Sequence, residues 1–184
     1  MTEVLTAANQ LTILRVLLVP VFALCMLYDM PGWALVTFGV AAATDALDGL
    51  IARHTSPTTI GAWLDPAADK LLLTTMFVML TVPGPGVVRL PLWLTVTVIS
   101  RDVAIVLAVT IVNLAVARRT YRPSFLGKAT TVVYVATGVA ALYANYVRQA
   151  LAIVDVCVYA SFALTMLSGF EYVRRFTRTP PASS

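Results

Sequence analysis

Hydrophobic positions dominate this chain in long runs that turn signals interrupt. Most runs are about 20 residues long, the length of helix that crosses roughly 30 Å of hydrocarbon. The interruptions contain proline, glycine or charge, as in residues 29–32 and 83–91. The pattern predicts six helices, at residues 11–28, 33–53, 62–82, 92–117, 125–146 and 150–172.

Composition agrees with a membrane protein. Of the 184 residues, 59% are hydrophobic and 12% are charged, against roughly 25% charged in soluble domains, and the mean hydropathy is +0.85. Six spans with short loops leave no length for a soluble domain. We expect an all-α integral membrane protein, a six-transmembrane-helix bundle, with residues 1–176 as one domain and 177–184 as a disordered cytoplasmic tail. No nucleic-acid partner is expected.

Basic residues are distributed unequally between the two ends of the predicted helices. Because lysine and arginine concentrate in cytoplasmic loops, the richer side and the N-terminus are predicted to be cytoplasmic, in a bacterial inner membrane. The net charge of +4 would then favour anionic headgroups or phosphates at the inner surface. The richer side carries Arg53, Arg118, Arg119, Arg122, Lys128, Arg174, Arg175 and Arg178, and the other side carries Arg89 and Arg148.

Four aspartates lie where the second predicted helix ends and the third begins. Asp45 and Asp48 are three residues apart and share one face of a helix, and Asp65 and Asp69 are four apart and share another. A short loop makes the two helices antiparallel neighbours. The four carboxylates can therefore converge at one depth near the cytoplasmic surface.

Converging carboxylates in a low dielectric need cations. Arg53 and Lys70 supply two charges at most, and all-oxygen ligands suit a hard divalent ion. The spacing therefore favours Mg²⁺ or Mn²⁺, with two ions plausible for four acids. The alternative, solvated helix-end acids or intramembrane ion pairs, explains one aspartate better than it explains two spaced pairs.

Small residues and an arginine accompany the acids. Gly49, Ala52 and Gly61 leave space for a ligand, although small residues also serve helix packing. Divalent ions beside Arg53 are typical of sites that bind phosphate groups and catalyse their transfer. A cation transporter is the rival class, but it predicts acids near the bilayer midplane rather than beside a basic loop.

The acids and their neighbours form a recognisable motif. It resembles the signature of the CDP-alcohol phosphotransferases, membrane enzymes that join an alcohol to a phosphatidyl group and release CMP. Seven residues separate Arg53 from Gly61, which is shorter than the family pattern. The matching positions are Asp45-x-x-Asp48-Gly49-x-x-Ala52-Arg53 and Gly61-x-x-x-Asp65-x-x-x-Asp69.

The resemblance implies a fold and a role for each matching residue. The family fold is a six-helix bundle, usually a homodimer, with an active site open to the cytoplasm and to lipid. Asp69 would complete the metal site and act as general base. Because this aspartate is present, the hypothesis of a relative that binds the CDP-lipid without turning it over is disfavoured. The metal ligands would be Asp45, Asp48 and Asp65 with Asp69. The CDP contacts would be Gly49, Ala52, Arg53 and Gly61. Asn9 would also contact CDP, and it belongs to a first-helix motif that includes Thr12 and Arg15.

Residues outside the motif bear on the acceptor alcohol. The stretches around Asp65, Arg101 and Lys128 are similar to those of phosphatidylglycerophosphate synthases and CMP-forming cardiolipin synthases. The resemblance thus implies CDP-diacylglycerol as donor and glycerol 3-phosphate or phosphatidylglycerol as acceptor, with another alcohol such as an inositol phosphate as the alternative. Arg101 and Lys128 are candidate ligands of an acceptor phosphate.

Both cations have a second interpretation. Arg101 can pair with another helix or with Asp102, although consecutive helical residues point about 100° apart and a tight pair with Asp102 is expected to be awkward. Lys128 can simply extend its ammonium group to the interface.

Overall fold

The apolar runs form helices in the computed structural model, which describes residues 7–51, 61–115 and 125–177. Within these ranges, side chains are described for 10–44, 67–107, 126–171 and Arg174. The described residues form six α-helices and no strand. The helices are α1 (Ala7–Leu27), α2 (Pro31–Ile51), α3 (Gly61–Thr81), α4 (Leu92–Ala115), α5 (Phe125–Tyr146) and α6 (Ala152–Thr177).

The predicted helices are confirmed, and two of their ends differ by more than three residues. Helix α1 begins four residues earlier than predicted, at Ala7, and α6 continues five residues further, to Thr177. Each addition includes polar or charged residues, Asn9 and Gln10 in α1 and Arg174 and Arg175 in α6. A helix outside hydrocarbon needs only its backbone hydrogen bonds to continue. Thr177 was assigned to the tail by the sequence, and residues 178–184 lie outside the described ranges.

Two helices end in the same way on the side opposite the aspartates. Asp29 after α1 and Arg148 after α5 both have φ of 56°, the left-handed conformation that closes many helices. At the first of these ends, the Met30 N–H donates to the Cys25 carbonyl at 2.9 Å. The Arg148 guanidinium donates to the Asp29 carboxylate at 2.7 Å, so one ion pair joins the two turns.

Apolar side chains from all six helices fill the centre of the bundle. Phe22 of α1 packs on Phe38 of α2 with ring centroids 5.9 Å apart, and Phe77 of α3 meets the ring edge of Tyr134 on α5 at 5.4 Å. These contacts join α1 to α2 and α3 to α5.

One glycine sets the distance between α3 and α5. A Cβ added to Gly138 would lie 2.5 Å from Cε and 2.6 Å from Sδ of Met76. Real Cβ atoms do not approach other atoms so closely. The Met76 side chain therefore occupies space that any larger residue at 138 would need.

Hydroxyl groups connect α5 to α6. The Tyr134 hydroxyl and Thr165 Oγ1 are 2.6 Å apart, and Thr137 Oγ1 lies 2.7 Å from Ser161 Oγ. All four side chains are buried. Such pairs satisfy polar groups within the bundle and contribute to helix association in lipid.

The outer surface of the bundle is apolar. Leu17, Val132 and Phe170 are exposed by 60%, 68% and 69% respectively, as expected for side chains that face lipid. Among the described residues, three helical segments are long and apolar enough to cross a membrane, namely Gln10–Leu27, Leu126–Tyr146 and Ala152–Glu171. The described part of the chain is thus all helical and contains segments that can span a membrane. The count of six spans stays a prediction, because side chains are described for fewer than 18 residues in each of α2, α3 and α4.

Candidate active site

The four aspartates occupy facing ends of α2 and α3. Asp45 and Asp48 lie in the last two turns of α2, and Asp65 and Asp69 lie in the first turns of α3. The two helices are consecutive and in contact. The four aspartates thus lie near the end of α2 and near the start of α3, as the sequence predicts. Of these side chains only that of Asp69 is described, and it is partly buried, so convergence of the carboxylates stays a prediction.

The predicted nucleotide contacts lie at the same ends. Gly49 belongs to the last turn of α2, Gly61 is the first residue of α3, and Asn9 lies in the first turn of α1. Ala52 and Arg53 fall outside the described residues. The CDP-binding roles of all five therefore remain predictions.

Divalent-metal binding also stays a prediction. Among the side chains described, no three or more of the histidine, cysteine, aspartate and glutamate groups lie together. That set includes Asp69 but not Asp45, Asp48 or Asp65. The donors that the backbone brings to one level are all carboxylates, which fit Mg²⁺ or Mn²⁺ and do not fit a softer metal.

A buried arginine lies on the helix next to the aspartates. Arg15 is 0% exposed and is the largest of the fully buried side chains in the described ranges. It shares the inner face of α1 with Thr12, Val19 and Phe22, which are also buried. This face packs toward α2, as the contact of Phe22 with Phe38 shows.

Sequence reasoning gave Arg15 no role of its own. It was noted only as part of a first-helix motif, since a motif does not tell which face of a helix is buried. The signal was nevertheless present, because Thr12, Arg15, Val19 and Phe22 follow the i, i+3, i+7, i+10 spacing of one helical face. An arginine on the packed face of an apolar helix indicates a counter-charge nearby.

Arg101 on α4 has partners on two helices. Its Nη1 donates to Asp102 Oδ1 at 2.8 Å, and its Nη2 donates to Ser168 Oγ on α6 at 2.8 Å. The expectation that a tight Arg101–Asp102 pair is awkward was wrong, because the two side chains are long enough to meet at 2.8 Å although their Cα–Cβ bonds diverge. Both alternatives considered for Arg101 are therefore present together.

The guanidinium of Arg101 retains unused N–H donors. Its Nε is buried and makes no hydrogen bond in the described part of the chain. The side chain is 13% exposed and that of Asp102 is 22% exposed. An acceptor phosphate would thus meet an arginine that is already oriented. Lys128 is exposed in the first turn of α5, which is compatible with either of its two interpretations.

A pocket of about 160 Å³ lies at the other end of the bundle. Met79, Arg89 and Asn145 are among its lining residues, and none of the predicted site residues is. Asn145 is 2% exposed and binds the backbone of Val88 twice, accepting from its N–H at 2.8 Å and donating to its carbonyl at 3.0 Å. This pocket is remote from the aspartates, and its polar groups fasten the loop between α3 and α4 to α5.

Comparison with known proteins gives a family match that covers most of the chain. Residues 5–167 match the model of the family described as CDP-alcohol phosphatidyltransferase. The matched region contains every predicted site residue, from Asn9 to Lys128.

Curated relatives are similar over much of the same region. The "Probable phosphatidylglycerophosphate synthase" of Mycobacterium tuberculosis is 37% identical over 182 residues, covering 93% of this chain and 81% of that protein. The "Cardiolipin synthase (CMP-forming)" of Rattus norvegicus is 32% identical over 191 residues, covering 92% and 62% respectively. The "CDP-diacylglycerol–glycerol-3-phosphate 3-phosphatidyltransferase" of Pseudomonas fluorescens is 40% identical over 106 residues, covering 53% and 51%.

Proposed function

The chain belongs to the CDP-alcohol phosphatidyltransferase family, and from this membership we propose that it transfers the phosphatidyl group of CDP-diacylglycerol to a glycerol-type acceptor and releases CMP. One observation carries the proposal. Four aspartates at the spacing of the family motif occupy the adjoining ends of α2 and α3 within the matched region. Names of the relatives support a glycerol-based acceptor, either glycerol 3-phosphate or phosphatidylglycerol.

Asp45, Asp48 and Asp65, with Asp69, would hold the Mg²⁺ or Mn²⁺ ions, most simply two. When bound, such ions neutralise charge on the pyrophosphate and on the departing phosphate. Gly49, Ala52, Gly61 and Asn9 would contact the CDP group. Small residues at these positions allow a nucleotide to approach the helix ends closely.

Asp69 is the proposed general base. Its carboxylate would take the proton from the acceptor hydroxyl, whose oxygen forms a bond to the phosphorus that carries diacylglycerol. The bond between that phosphorus and the CMP oxygen breaks, and CMP leaves with the electron pair. Arg53 would donate hydrogen bonds to the departing phosphate. The partly buried position of Asp69, nine residues into α3, supports this role.

Arg101 and Lys128 are the proposed ligands of the acceptor's phosphate. Arg101 is oriented by Asp102 and Ser168, and its side chain is 13% exposed. Both proposed acceptors carry a phosphate group, so these two cations recognise what the acceptors share. The choice between the acceptors then depends on the room available for the diacylglycerol part of phosphatidylglycerol.

We further propose a homodimer in a bacterial inner membrane, with the active site and both termini facing the cytoplasm. The distribution of basic residues supports this orientation, because the loops next to the aspartates carry most of them.

Product analysis with purified protein tests the function. CDP-diacylglycerol is supplied with glycerol 3-phosphate, phosphatidylglycerol or an inositol phosphate, in Mg²⁺, Mn²⁺ or EDTA, and CMP and the lipid product are measured. We expect metal-dependent CMP release and either phosphatidylglycerophosphate or cardiolipin. We expect Asp69→Asn to lower the rate by at least about 10²-fold. Asp155→Asn, an exposed aspartate in the first turn of α6, is the matched control and should retain activity.

Three outcomes would contradict the proposal. Absence of CMP release with every acceptor would reject the reaction. Undiminished release by Asp69→Asn would reject the general base. Use of an inositol phosphate alone would reject the glycerol-type acceptor.

A further inference from the structure

A fully buried arginine in an apolar bundle requires opposite charge. Arg15 lies on α1 with 0% exposure, beside the equally buried Thr12. A guanidinium removed from water is strongly disfavoured unless carboxylates compensate it. The identity of the compensating acids follows from which helices α1 contacts.

Helix α1 has two helical neighbours. Within the described part of the chain, it contacts α2 and α3 and no other helix. The acids on these two helices are Asp45, Asp48, Asp65 and Asp69. Other described acids belong elsewhere: Asp29 pairs with Arg148, Asp102 with Arg101, and Asp155 and Glu171 lie on α6.

Depth along the helices agrees with this assignment. Arg15 is eight residues from the start of α1, and Asp69 is eight residues from the start of α3. Both helices begin on the same side of the bundle, so each residue lies roughly 12 Å along its helix. Asp45 lies six residues before the end of α2, roughly 9 Å from that same side.

We propose that Arg15 is a positioning residue of the active site: its guanidinium opposes the charge of the aspartates from α1 and holds α2 and α3 together around the metal site. The statement that this site is catalytic rests on the proposed function. The charge compensation by Arg15 does not depend on that function, because it operates in the protein with or without substrate.

Two consequences distinguish this role from simple packing. Without Arg15 the metal-free protein would lose one of the positive charges that oppose the carboxylates, and added divalent ions would replace the lost charge. A cation at this site also repels divalent ions, so its removal should strengthen their binding. A residue that only fills space would affect stability equally with and without metal.

The test compares Arg15→Gln, Arg15→Lys and the double variant Arg15→Gln/Asp69→Asn in detergent. Thermal unfolding is measured in EDTA and in Mn²⁺, and Mn²⁺ affinity is measured from the electron paramagnetic resonance signal of the free ion. In EDTA we expect Arg15→Gln to unfold roughly 10 °C below the parent, and Mn²⁺ to restore most of that loss. We expect its Mn²⁺ affinity to rise about tenfold.

The other variants make the result specific. Arg15→Lys retains the charge and should keep Mn²⁺ affinity within about twofold of the parent. The double variant removes one acid as well and should unfold above Arg15→Gln in EDTA. Arg148→Gln, the same change at an exposed ion pair on the opposite side, should leave Mn²⁺ affinity unchanged.

Equal destabilisation of Arg15→Gln in EDTA and Mn²⁺, with unchanged Mn²⁺ affinity, would overturn the proposal. If Arg15→Gln does not fold, Arg15→Lys decides alone: a folded protein with near-parental Mn²⁺ affinity supports charge compensation, and failure to fold overturns it. CMP release by the parent is measured in parallel. Its absence would reject the proposed function while the unfolding and Mn²⁺ data still decide the role of Arg15.

Discussion

Asp29 and Arg148 are the two non-glycine residues with left-handed backbones in the described ranges, and their side chains form an ion pair of 2.7 Å with each other. Each of them ends a helix, Asp29 after α1 and Arg148 after α5. The same two residues thus terminate helices and join the turns that follow. Left-handed conformation costs an L-residue about 1 kcal/mol or more, whereas an exposed pair contributes about 0 to 1 kcal/mol.

These opposing contributions predict an order of stability for substitutions at Arg148. Arg148→Gly loses the ion pair but relieves the backbone, so it should lie within about 1 kcal/mol of the parent. Arg148→Ala loses the pair and keeps the backbone cost. Thermal unfolding in detergent should therefore place the glycine variant roughly 2–4 °C above the alanine variant. The reverse order would mean that the greater conformational entropy of the unfolded glycine variant outweighs the relief of the backbone.

The loop between α3 and α4 supplies a second prediction. Asn145 satisfies both the N–H and the carbonyl of Val88, and Asn145→Ala leaves both without a partner. We expect a loss of about 2–4 kcal/mol in the free energy of unfolding. Denaturant titration measures it.

A matched control is available on α4. Thr97→Val removes a hydroxyl whose bond is to the Trp93 carbonyl within the same helix, and it should cost less than about 1 kcal/mol. Because the Asn145 contacts lie away from the aspartates, the specific activity of folded Asn145→Ala should match the parent. A loss of activity without a loss of stability would contradict this interpretation.

Helix positions were predictable from the sequence, and helix ends less so. The apolar runs and the breaks between them gave α2 through α5 to within two residues. The extra turns of α1 and α6 contain polar or charged residues and were missed, since hydrophobicity marks the part of a helix in lipid rather than where its hydrogen bonds stop. The left-handed conformations of Asp29 and Arg148 were likewise not evident, because neither position carries glycine.

The positions of the four aspartates on the helices were predictable, whereas their convergence into a metal site stays a prediction. The four aspartates could be assigned to neighbouring helix ends because i, i+3 and i, i+4 spacing has one geometric meaning. Arg15 was not identified, since its importance comes from contacts between α1 and two other helices. The joint binding of Arg101 to Asp102 and Ser168 depends on a side-chain conformation and on the packing of α6, where Ser168 lies 67 residues after Arg101.

The oriented guanidinium of Arg101 predicts a selective kinetic effect. Arg101→Gln removes the charge that would meet the acceptor phosphate, so KM for the acceptor should rise about tenfold or more. KM for CDP-diacylglycerol should stay within about twofold. Steady-state CMP release with each substrate varied in turn separates the two effects.

Ser168→Ala tests whether orientation contributes. It removes the 2.8 Å contact with Nη2 and retains the charge, so a smaller rise in the acceptor KM, about threefold, is expected. Equal changes in both KM values for Arg101→Gln would indicate a general disturbance of the bundle instead of acceptor recognition.

The hydroxyl pair between α5 and α6 predicts measurable coupling. Thr137 and Ser161 lie 2.7 Å apart and are buried, and polar pairs between membrane helices contribute about 0.6 kcal/mol on average. A double-mutant cycle with Thr137→Val and Ser161→Ala should give a coupling free energy of about 0.5–1.5 kcal/mol. The combination of Thr137→Val with Thr97→Val, on α4, should be additive.

Met76 and Gly138 share a single volume between α3 and α5. A Cβ at position 138 requires the flexible end of the Met76 side chain to move or a shorter side chain at position 76, so the two positions are expected to depend on each other during evolution. Family members with alanine at the position of Gly138 should therefore carry a shorter side chain at the position of Met76. The two alignment columns, 62 residues apart in this chain, should covary. The combined size of the two side chains in each family member would then indicate the spacing between α3 and α5.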